Sequence, residues 1–485
     1  MAKSGHTVQT PKAVPMYLQI YEKIRTDIET GAVSVGDSLP SERQLQKLYR
    51  VSRTTVQNAY DQLEAMGYVT RHAARGTFVA TPPQWPSAVK REASFRCARP
   101  WQWMHNTFLE DLMESASRDY TFDFEAGRPD IELFPLTDMQ LALEHLFSKK
   151  SRDVLLYSPT MGLPVLRQAI SEILMPQRGI HDMPAENILI TSGAMQAIDL
   201  IAKLFIEPND MVVVAKPTFP GALQRFATQG ARIVGIPVDS EGIDVDQLAS
   251  VVRQRRPSLI YTQPTCQNPT GVTLSPARRE RLLRIARDYN IPVVEDDACG
   301  FLSSSNTQAL RAQDDDVLYV GTFSKLVAPG FRVGYVTAPA NIARRLAGVK
   351  QVTDLHTGSI GQLLLESWLT MGGLEEHLQR SRDVYRERLR TAVATLRCSH
   401  VVPVYPAEDG FYLFCSLPDG FAARALQQRG AERGVIFASG DAFSSDGDLQ
   451  GHLRLCVSAL PPASIRVGLR RLTQIVEEQR APVTP

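Results

Sequence analysis

The sequence predicts a multidomain chain: a winged helix-turn-helix, then a large α/β domain with a mostly parallel sheet, and a smaller α+β domain. The chain has 485 residues, whereas single hydrophobic cores stop growing near about 250–300 residues. The first 80 residues contain helix-capping patterns and a β-hairpin pattern in close succession. From about residue 185 onward, apolar strand-like runs alternate with helical patterns, which is typical of parallel strands joined by crossover helices.

Two short helices joined by a tight turn are predicted near the N-terminus. Ser41 and Gln44 have the spacing of a capping box, which starts a helix that carries Leu45 and Leu48. Ser52 caps a second helix. The apolar face of this second helix consists of Val56, Ala59, Tyr60, Leu63 and Met66. Because only a few residues separate the two helices, the pattern is typical of a helix-turn-helix.

A hairpin wing and a DNA-reading helix complete this pattern. Residues 68–70 and 77–79 alternate in polarity across a Gly-containing turn, which predicts the wing. In a helix-turn-helix, the second helix enters the major groove with its N-terminal residues. These residues carry short hydroxyls and one guanidinium, which suit phosphate and guanine contacts: Ser52, Arg53, Thr54 and Thr55. As an isolated tetrapeptide they would be an exposed helix cap, but the full pattern favours DNA.

Over about residues 14–80, these elements closely resemble the GntR-type winged helix-turn-helix. The resemblance implies that double-stranded operator DNA is contacted by Arg43, Ser52, Arg53, Thr54, Thr55, Arg75, Gly76 and Thr77. Gln57 stands where this family often has an arginine. Residues 1–80 hold ten Lys and Arg against seven Asp and Glu, a net charge of +3, in a chain of net charge +1. The electrostatic attraction to DNA is therefore local.

Residues 81–119 are predicted to be a linker. Their first seven residues include three prolines, which favours an extended segment. Trp101, Trp103 and Phe108 follow, and they indicate that the second half of the linker docks on a surface.

The segment Gly-Thr-Phe-Ser-Lys at 321–325, with an arginine at 332, is the most informative in the chain. A lysine amine can form a Schiff base with the aldehyde of pyridoxal 5'-phosphate, while hydroxyls and a guanidinium neutralise the phosphate. Lys325, Thr322, Ser324 and Arg332 supply these groups. A lysine in a Ser/Gly-rich turn is otherwise usually a solvated surface residue.

Three segments after strand-like runs could supply other parts of such a site. Residues 192–194, Ser-Gly-Ala, lie between a strand and a helix and could form a phosphate nest or an ordinary N-cap. Phe219 could stack on a ligand ring or belong to the core. Asn268 could donate to the phenolic oxygen of the cofactor, although Asn-Pro-Thr-Gly is also a plain turn by composition.

A fourth segment ends an apolar strand in three carboxylates. Asp296 could hold the pyridine nitrogen of the cofactor protonated, which makes the ring an electron sink. We predict that Glu295 and Asp297 belong to a solvated acidic loop. All four segments fall at strand ends, where open α/β sheets bind ligands.

Together these motifs resemble the fold-type I aminotransferases, over roughly residues 120–475. The resemblance implies that Lys325 is the Schiff-base lysine, that Asp296 pairs with the pyridine nitrogen, and that Asn268 binds the ring oxygen. It implies that Phe219 stacks on the ring. The implied phosphate-binding residues are Gly193, Ala194, Thr322, Ser324 and Arg332.

The same resemblance implies two further roles. Tyr157 matches a tyrosine that reaches the phosphate across a dimer interface, so a head-to-tail homodimer is implied. Arg454 lies in a segment that resembles the strand whose arginine binds the substrate's α-carboxylate, a contact that suits a guanidinium fork.

One departure from the aminotransferases follows Asp296. Most relatives have a tyrosine two or three residues later, whereas residues 297–300 are Asp-Ala-Cys-Gly. Either Tyr261 or another residue replaces its hydroxyl, or the proton-transfer chemistry is compromised.

A GntR-like head (residues 1–80) joined to an aminotransferase-like body (residues 120–485) resembles the MocR/GabR family of bacterial transcription regulators. The body would comprise a large subdomain at about 155–345 and a small subdomain at about 346–485 plus the N-terminal segment. We predict a pyridoxal phosphate-dependent regulator that senses an amine, an amino acid or the cofactor itself through Lys325. The alternative is a working aminotransferase with an appended DNA-binding head, and slow or half-transamination stays open.

Composition excludes several other classes. The N-terminus lacks the apolar segment of a signal peptide, and no apolar run approaches the ~18 residues of a membrane span. Six cysteines without C-x-x-C spacing fit a reducing cytosol and argue against a zinc site. We therefore expect a cytoplasmic protein with no metal.

Overall fold

The computed structural model describes residues 16–29, 32–65, 68–72, 76–80, 120–149, 155–304 and 307–480. They form two compact units, one in the head and one in the body. The predicted linker with its three aromatic residues lies outside the described residues, as do Met66 and Arg75.

The head is a winged helix-turn-helix. Its elements are α1 (Met16–Glu29), α2 (Glu42–Tyr49), α3 (Arg53–Ala65), β1 (Val69–His72) and β2 (Gly76–Val79). Ser41 caps α2 with the predicted capping box, and Arg50 turns the chain with a left-handed φ of 51°. β1 and β2 pair antiparallel as the wing.

The core of the head unites all three helices with the wing. Its buried members include Ile20, Leu45, Val56, Leu63 and Val79. α2 carries Leu45 and Leu48 as predicted. Leu45 is buried in this core, whereas Leu48 is 70% exposed.

The body begins with β3 (Phe122–Phe124) and α4 (Leu136–Lys149) and continues into an eight-stranded sheet. The strands are β4 (Ile188–Thr191), β5 (Met211–Lys216), β6 (Arg232–Asp239), β7 (Gly242–Ile243), β8 (Leu259–Thr262), β9 (Val293–Asp296), β10 (Leu318–Thr322) and β11 (Gly334–Thr337). Their order is β4-β11-β10-β9-β8-β5-β6-β7.

The large sheet is mostly parallel, as predicted. β6, β5, β8, β9 and β10 run parallel, whereas β11 is antiparallel to both β10 and β4. The central strands are buried along their length, as strands covered on both faces must be. The helices that accompany them are α5 (Pro164–Ala169), α6 (Ala194–Phe205), α7 (Pro220–Thr228), α8 (Val245–Gln254), α9 (Pro276–Asp288) and α10 (Ala340–Thr353).

A second sheet of five strands follows along the chain. α11 (Ser359–Met371) precedes this sheet and packs on α4 and α5, and the helices that accompany the sheet are α12 (Leu374–Leu396), α13 (Ala423–Glu432) and α14 (Pro462–Arg480). Its strands are β12 (Val402–Pro403), β13 (Tyr412–Ser416), β14 (Val435–Ser439) and β15 (His452–Cys456), in the order β12-β13-β15-β14-β3. β3, from the start of the body, therefore completes this sheet by pairing parallel with β14.

The acidic end of β9 differs from the prediction. Glu295 and Asp297 are buried, so their placement in a solvated loop is wrong. Asp297 Oδ2 accepts hydrogen bonds from Arg178 Nε at 2.7 Å and from Tyr319 at 2.8 Å. Glu295 accepts the backbone N–H groups of residues 310 and 311, both at 2.9 Å. These partners offset the cost of burying two carboxylates.

Candidate cofactor and DNA sites

A cavity of about 500 Å³ lies beyond the carboxyl ends of the central strands. It is lined by nine of the residues that the sequence singles out: Ala194, Phe219, Asn268, Asp296, Thr322, Ser324, Lys325, Arg332 and Arg454. They come from both sheets and are up to 260 positions apart in the chain, between Ala194 and Arg454. The cavity therefore brings the separate sequence motifs together.

Lys325 follows β10 and reaches into the cavity. Its Nζ donates a hydrogen bond to the carbonyl oxygen of Gly127. Burial lowers the pKa of Lys325, and the nearby guanidinium groups of Arg454 and Arg332 lower it further. A lowered pKa increases the share of neutral amine, which is the form that attacks a carbonyl carbon.

Asp296 presents one carboxylate oxygen without a partner among the described residues. Its Oδ2 accepts hydrogen bonds from the Tyr261 hydroxyl at 2.6 Å and from Gln263 Nε2 at 2.8 Å, while Oδ1 is buried and unpaired. Burial raises the pKa of Asp296 to about 6, against the two donors, which lower it. A protonated ring nitrogen would supply the missing N–H. The Tyr261 hydroxyl donates its hydrogen to Asp296, so this hydrogen is not available to another acceptor.

Backbone and side chains converge at the N-terminus of α6. Gly193 has φ 84°, and a Cβ there would stand 2.8 Å from Arg332 Nη2. A Cβ on Gly334 would stand 2.7 Å from the carbonyl carbon of Gly193. The Ser324 N–H donates to Thr322 Oγ1 at 3.1 Å. Glycines thus allow the guanidinium, two hydroxyls and the helix N-terminus to approach one point, which suits a phosphate.

Arg454 lies on β15 and is 4% exposed. Its Nη1 donates to Asn268 Oδ1 at 3.1 Å, and its Nη2 donates to the carbonyl oxygen of Glu125. The guanidinium carbon lies 4.9 Å from the Tyr412 ring centroid. Arg454 Nε is buried and has no hydrogen-bond partner within the described part of the chain. Because the Asn268 oxygen is engaged, its amide nitrogen is left to donate to a ring oxygen.

Cys299 lines the cavity three residues after Asp296, where the resemblance to the aminotransferases predicts a tyrosine. Burial raises the pKa of its thiol well above the usual value. Cys299 is therefore a neutral thiol, which is a weak hydrogen-bond donor.

Tyr157 does not line the cavity. Its side chain is 87% exposed, and its ring meets His356 edge-on with centroids 5.7 Å apart. Leu155 and Leu156 beside it are exposed as well. The predicted contact of Tyr157 with the phosphate crosses a dimer interface, so it stays a prediction.

The predicted DNA-contacting residues that the structure describes lie at the start of α2, at the start of α3 and at the wing. Ser52 caps α3, because its Oγ accepts the Thr55 N–H at 3.2 Å. Arg43, Arg53 and Thr54 are exposed. Gly76 and Thr77 begin β2.

Sequence reasoning missed Glu42. Its Oε2 accepts hydrogen bonds from Arg53 Nε at 3.2 Å and from Gln57 Nε2 at 3.3 Å. Glu42 therefore orients two side chains of the recognition helix. No local spacing signals this contact, because it depends on the angle between α2 and α3.

Sequence reasoning also missed several cavity residues, among them Glu125, Gly127 and Tyr412. Glu125 and Gly127 contribute their backbone carbonyl oxygens. Every residue type has such an oxygen, so the sequence does not reveal these contacts. Tyr412 lies on a strand with an apolar pattern that predicts only core packing.

Two known protein families match the chain, one in each of its two compact units. Residues 122–472 match the family "Aminotransferase class I and II", and residues 16–79 match "Bacterial regulatory proteins, gntR family". The probable rhizopine catabolism regulatory protein MocR of Rhizobium meliloti is 31% identical over 473 residues, which cover 95% of this chain and 93% of that protein.

Several aminotransferases are similar to the body of this chain but not to its head. Aromatic-amino-acid aminotransferase 1 of Thermococcus litoralis is 32% identical over 384 residues, which cover 76% of this chain and 91% of the enzyme. LysN, an alpha-aminoadipate aminotransferase of Thermus thermophilus complexed with N-(5'-phosphopyridoxyl)-L-leucine, superposes with a TM-score of 0.74 at 31% identity, covering 80% of this chain and 98% of LysN.

Fold and cavity thus define an aminotransferase-like protein that carries a winged helix-turn-helix. The chain belongs to the aminotransferase class I and II family and, with its gntR domain, has the architecture of the MocR-type transcription regulators. The predicted fold class, domain types and regulator assignment are confirmed. In the described ranges, no helix is long and apolar enough to cross a membrane, and no cluster of His, Cys, Asp or Glu could hold a metal.

Proposed function

We propose that this regulator binds pyridoxal 5'-phosphate on Lys325 and uses it to sense an amine or amino acid, which changes DNA binding by the head. The observation that carries the proposal is the cavity. It combines a lysine amine of lowered pKa, a buried carboxylate oxygen with no partner among the described residues, and a glycine-lined approach of Arg332 to a helix N-terminus, in a chain that has a gntR domain. Bacterial DNA lies in the cytoplasm, so this function places the protein there.

The residues of the cavity fit this cofactor. When bound, it supplies an aldehyde that forms a Schiff base and a ring that withdraws electrons. Asp296 would hold the ring nitrogen protonated, Asn268 would donate to the ring oxygen, and Phe219 would stack on the ring. The phosphate would be bound by Gly193, Ala194, Thr322, Ser324 and Arg332.

Arg454 would bind a carboxylate of the effector. It is buried, its Nε is unpaired among the described residues, and it lies in the same cavity as Lys325. A guanidinium binds a carboxylate through two parallel hydrogen bonds, which fixes the orientation of the bound molecule. An amino acid would thus place its amine at Lys325 and its carboxylate at Arg454.

The experiment that tests the sensing role is a spectral titration. The full-length protein loaded with pyridoxal 5'-phosphate is mixed with a panel of simple amines and amino acids while visible absorption is recorded. We expect a rapid, reversible shift with at least one of them. If none shifts the spectrum but removal of the cofactor alters DNA binding, the cofactor itself is the signal.

An active aminotransferase is the second candidate. The similarity of the body to Aromatic-amino-acid aminotransferase 1 favours it. A steady-state assay with an amino acid and a keto acid separates it from the regulator, because an enzyme sustains product formation over many turnovers.

Tyr157 is expected to complete the phosphate site of a second copy in a head-to-tail homodimer. Tyr157→Phe should weaken cofactor binding by about 1–3 kcal/mol, because it removes a hydrogen bond to a charged group. Tyr289→Phe, at the end of α9, is the matched control and should leave the affinity unchanged. Light scattering and cofactor occupancy are measured over a dilution series, and a monomer with full occupancy would contradict the shared site.

Arg53 is expected to read a base edge. The Arg53→Ala protein should bind a duplex, selected by the wild-type protein from a random library, about 1–3 kcal/mol more weakly. Cofactor spectra should not change. Arg25→Ala on α1 removes the same charge from the same unit and serves as the control. Equal affinities of the Arg53→Ala and wild-type proteins in a mobility-shift titration would count against this placement of the recognition helix.

A further inference from the structure

The turn that leads into α6, residues 192–194, is held by a side chain of α6 itself. Gln196 lies in the first turn of this helix, and its Oε1 accepts the Ser192 N–H at 2.7 Å. The first N–H groups of a helix have no acceptor within the helix, which makes this turn suitable for an anion. Gln196 therefore fixes the backbone on which the expected phosphate contacts depend.

An ion pair at the end of α10 contacts the same glutamine. Lys350 is fully buried, and its Nζ donates to Gln196 Oε1 at 2.8 Å and to the two oxygens of Asp354 at 2.8 and 2.9 Å. Asp354 Oδ2 accepts from Gln196 Nε2 at 2.6 Å. The three side chains thus contact one another, and none of them lines the cavity. They can act on a ligand there only through the backbone of the turn.

The ion pair determines which way the Gln196 amide faces. An ammonium group only donates hydrogen bonds, and an ionised carboxylate only accepts them. The amide satisfies both with its oxygen on Lys350 and its nitrogen on Asp354. The reversed amide would place N–H groups against an ammonium and an oxygen against a carboxylate. Because the oxygen must face Lys350, its second lone pair is available to the Ser192 N–H.

The burial of Lys350 needs a reason, because it is costly. Burial lowers the pKa of Lys350, and the hydrogen bond to Asp354 opposes this shift. An apolar residue would fill the same space without removing a charge from water. An apolar residue could not orient the Gln196 amide, and this orientation is what the buried lysine contributes.

The position of the turn matters because Arg332 packs closely on it. A Cβ on Gly193 would stand 2.8 Å from Arg332 Nη2. The helix N-terminus and this guanidinium are expected to bind the same phosphate, so the distance between them must fit one ligand. Hydrogen bonds to charged groups are short and depend on such distances.

We infer that Gln196, Lys350 and Asp354 are positioning residues for the cofactor phosphate, which hold the 192–194 turn in place without touching the ligand. This inference rests on the proposed function and extends it to residues outside the cavity. Loss of the network should weaken the binding of a phosphorylated cofactor and spare the same ring without its phosphate.

Two ligands separate this role from a general effect on folding. Pyridoxal 5'-phosphate is compared with 5'-deoxypyridoxal, which has the same ring and aldehyde but no phosphate. Each is titrated into the cofactor-free, full-length protein, and visible absorption reports attachment. We expect Gln196→Met to weaken binding of pyridoxal 5'-phosphate about tenfold, because it removes the acceptor of the Ser192 N–H, and to leave the affinity for 5'-deoxypyridoxal unchanged. Equal losses for both ligands, or no loss, would overturn the inference.

Lys350→Met tests whether the lysine acts through Gln196. It should weaken binding of pyridoxal 5'-phosphate about three- to tenfold, and the double variant should lose no more than Gln196→Met alone, because both residues act through one contact. Additive losses would contradict the inference. Lys203→Met is the matched control, since Lys203 lies on α6 and pairs with Asp199 four positions away, as Lys350 does with Asp354. It should leave both affinities unchanged.

Asp354 allows a test at a more accessible position, since its side chain is 28% exposed. Asp354→Ala removes the counter-charge of Lys350, which favours a neutral amine that can accept from a reversed Gln196 amide. We expect a selective loss of about three- to tenfold for pyridoxal 5'-phosphate. Asp354→Asn keeps an oxygen acceptor and should restore most of the affinity. If the other variants fail to fold, this pair decides alone, and a wild-type affinity of Asp354→Ala would overturn the inference.

The failure of the inference differs from that of the proposed function. If the wild-type protein shows no change in visible absorption with either ligand, the cofactor site is wrong, and the positioning role falls with it. If the wild-type protein binds both ligands and the variants do not discriminate between them, only the positioning role falls.

Discussion

Lys325→Ala is expected to abolish covalent attachment of pyridoxal 5'-phosphate. Lys325 is the lysine that lines the cavity, and burial lowers its pKa, so its amine is available to react with an aldehyde. The visible absorption of the lysine-bound cofactor should disappear, and borohydride should no longer trap the cofactor on the protein. The phosphate-binding residues remain, so noncovalent binding should persist with lower affinity.

Lys203→Ala is the matched control for this experiment. Lys203 lies on α6 in the same unit, outside the cavity, and pairs with Asp199. Its replacement should leave both absorption and trapping unchanged. Continued trapping within the cavity of the Lys325→Ala protein, located by peptide mapping, would show that another amine carries the cofactor.

Turnover is expected to be far slower than in ordinary aminotransferases. A neutral, buried thiol at Cys299 stands where the resemblance to the aminotransferases predicts a tyrosine, and the Tyr261 hydroxyl donates to Asp296. The ring oxygen would therefore lack a hydroxyl donor from this segment. An amino acid should shift the spectrum quickly, while keto acid accumulates well below the usual range of about 1–1000 turnovers per second.

Cys299→Tyr is expected to raise keto-acid formation by about 100-fold or more, the typical contribution of a well-placed proton-transfer group. Cys299→Ala should leave it slow, since it adds no hydroxyl. Stopped-flow absorbance and product quantification separate binding from turnover. A wild-type rate within the ordinary range would favour the enzyme, with the head as an accessory.

Slow turnover suits a regulator. A bound amino acid biases a conformational equilibrium only while it stays bound, whereas rapid conversion would consume the signal. Arg454 and Asp296 would still hold and orient it. The replacement of a tyrosine by Cys299 would thus keep binding and reduce chemistry.

Much of the candidate site could be predicted because its residues follow strand ends. Lys325, Asp296 and Asn268 each come after an apolar run, and parallel strands place such ends along one edge of the sheet. Ser41 and Ser52 likewise start helices through contacts within three residues. Strand ends and helix caps depend on residues that are close in the chain, so a single sequence is enough to predict them.

Contacts between distant segments could not be predicted in this way. Asp297 is buried because Arg178, 119 positions earlier, pairs with it. Glu42 meets Arg53 and Gln57 only when α2 and α3 pack at their observed angle. Arg454 donates to the Glu125 carbonyl oxygen, which any residue type at position 125 could provide.

The most direct test of sensing is the affinity of the full-length protein for DNA with and without a bound amino acid. A duplex selected from a random library is titrated by fluorescence anisotropy, using the amino acid that shifts the visible spectrum most. We expect its binding to change DNA affinity by about 5- to 150-fold in the wild-type protein, the usual range for coupled sites. The Lys325→Ala protein should show no such change. Identical DNA affinities of the wild-type protein in both conditions, with the amino acid bound, would contradict the proposal that the body controls the head.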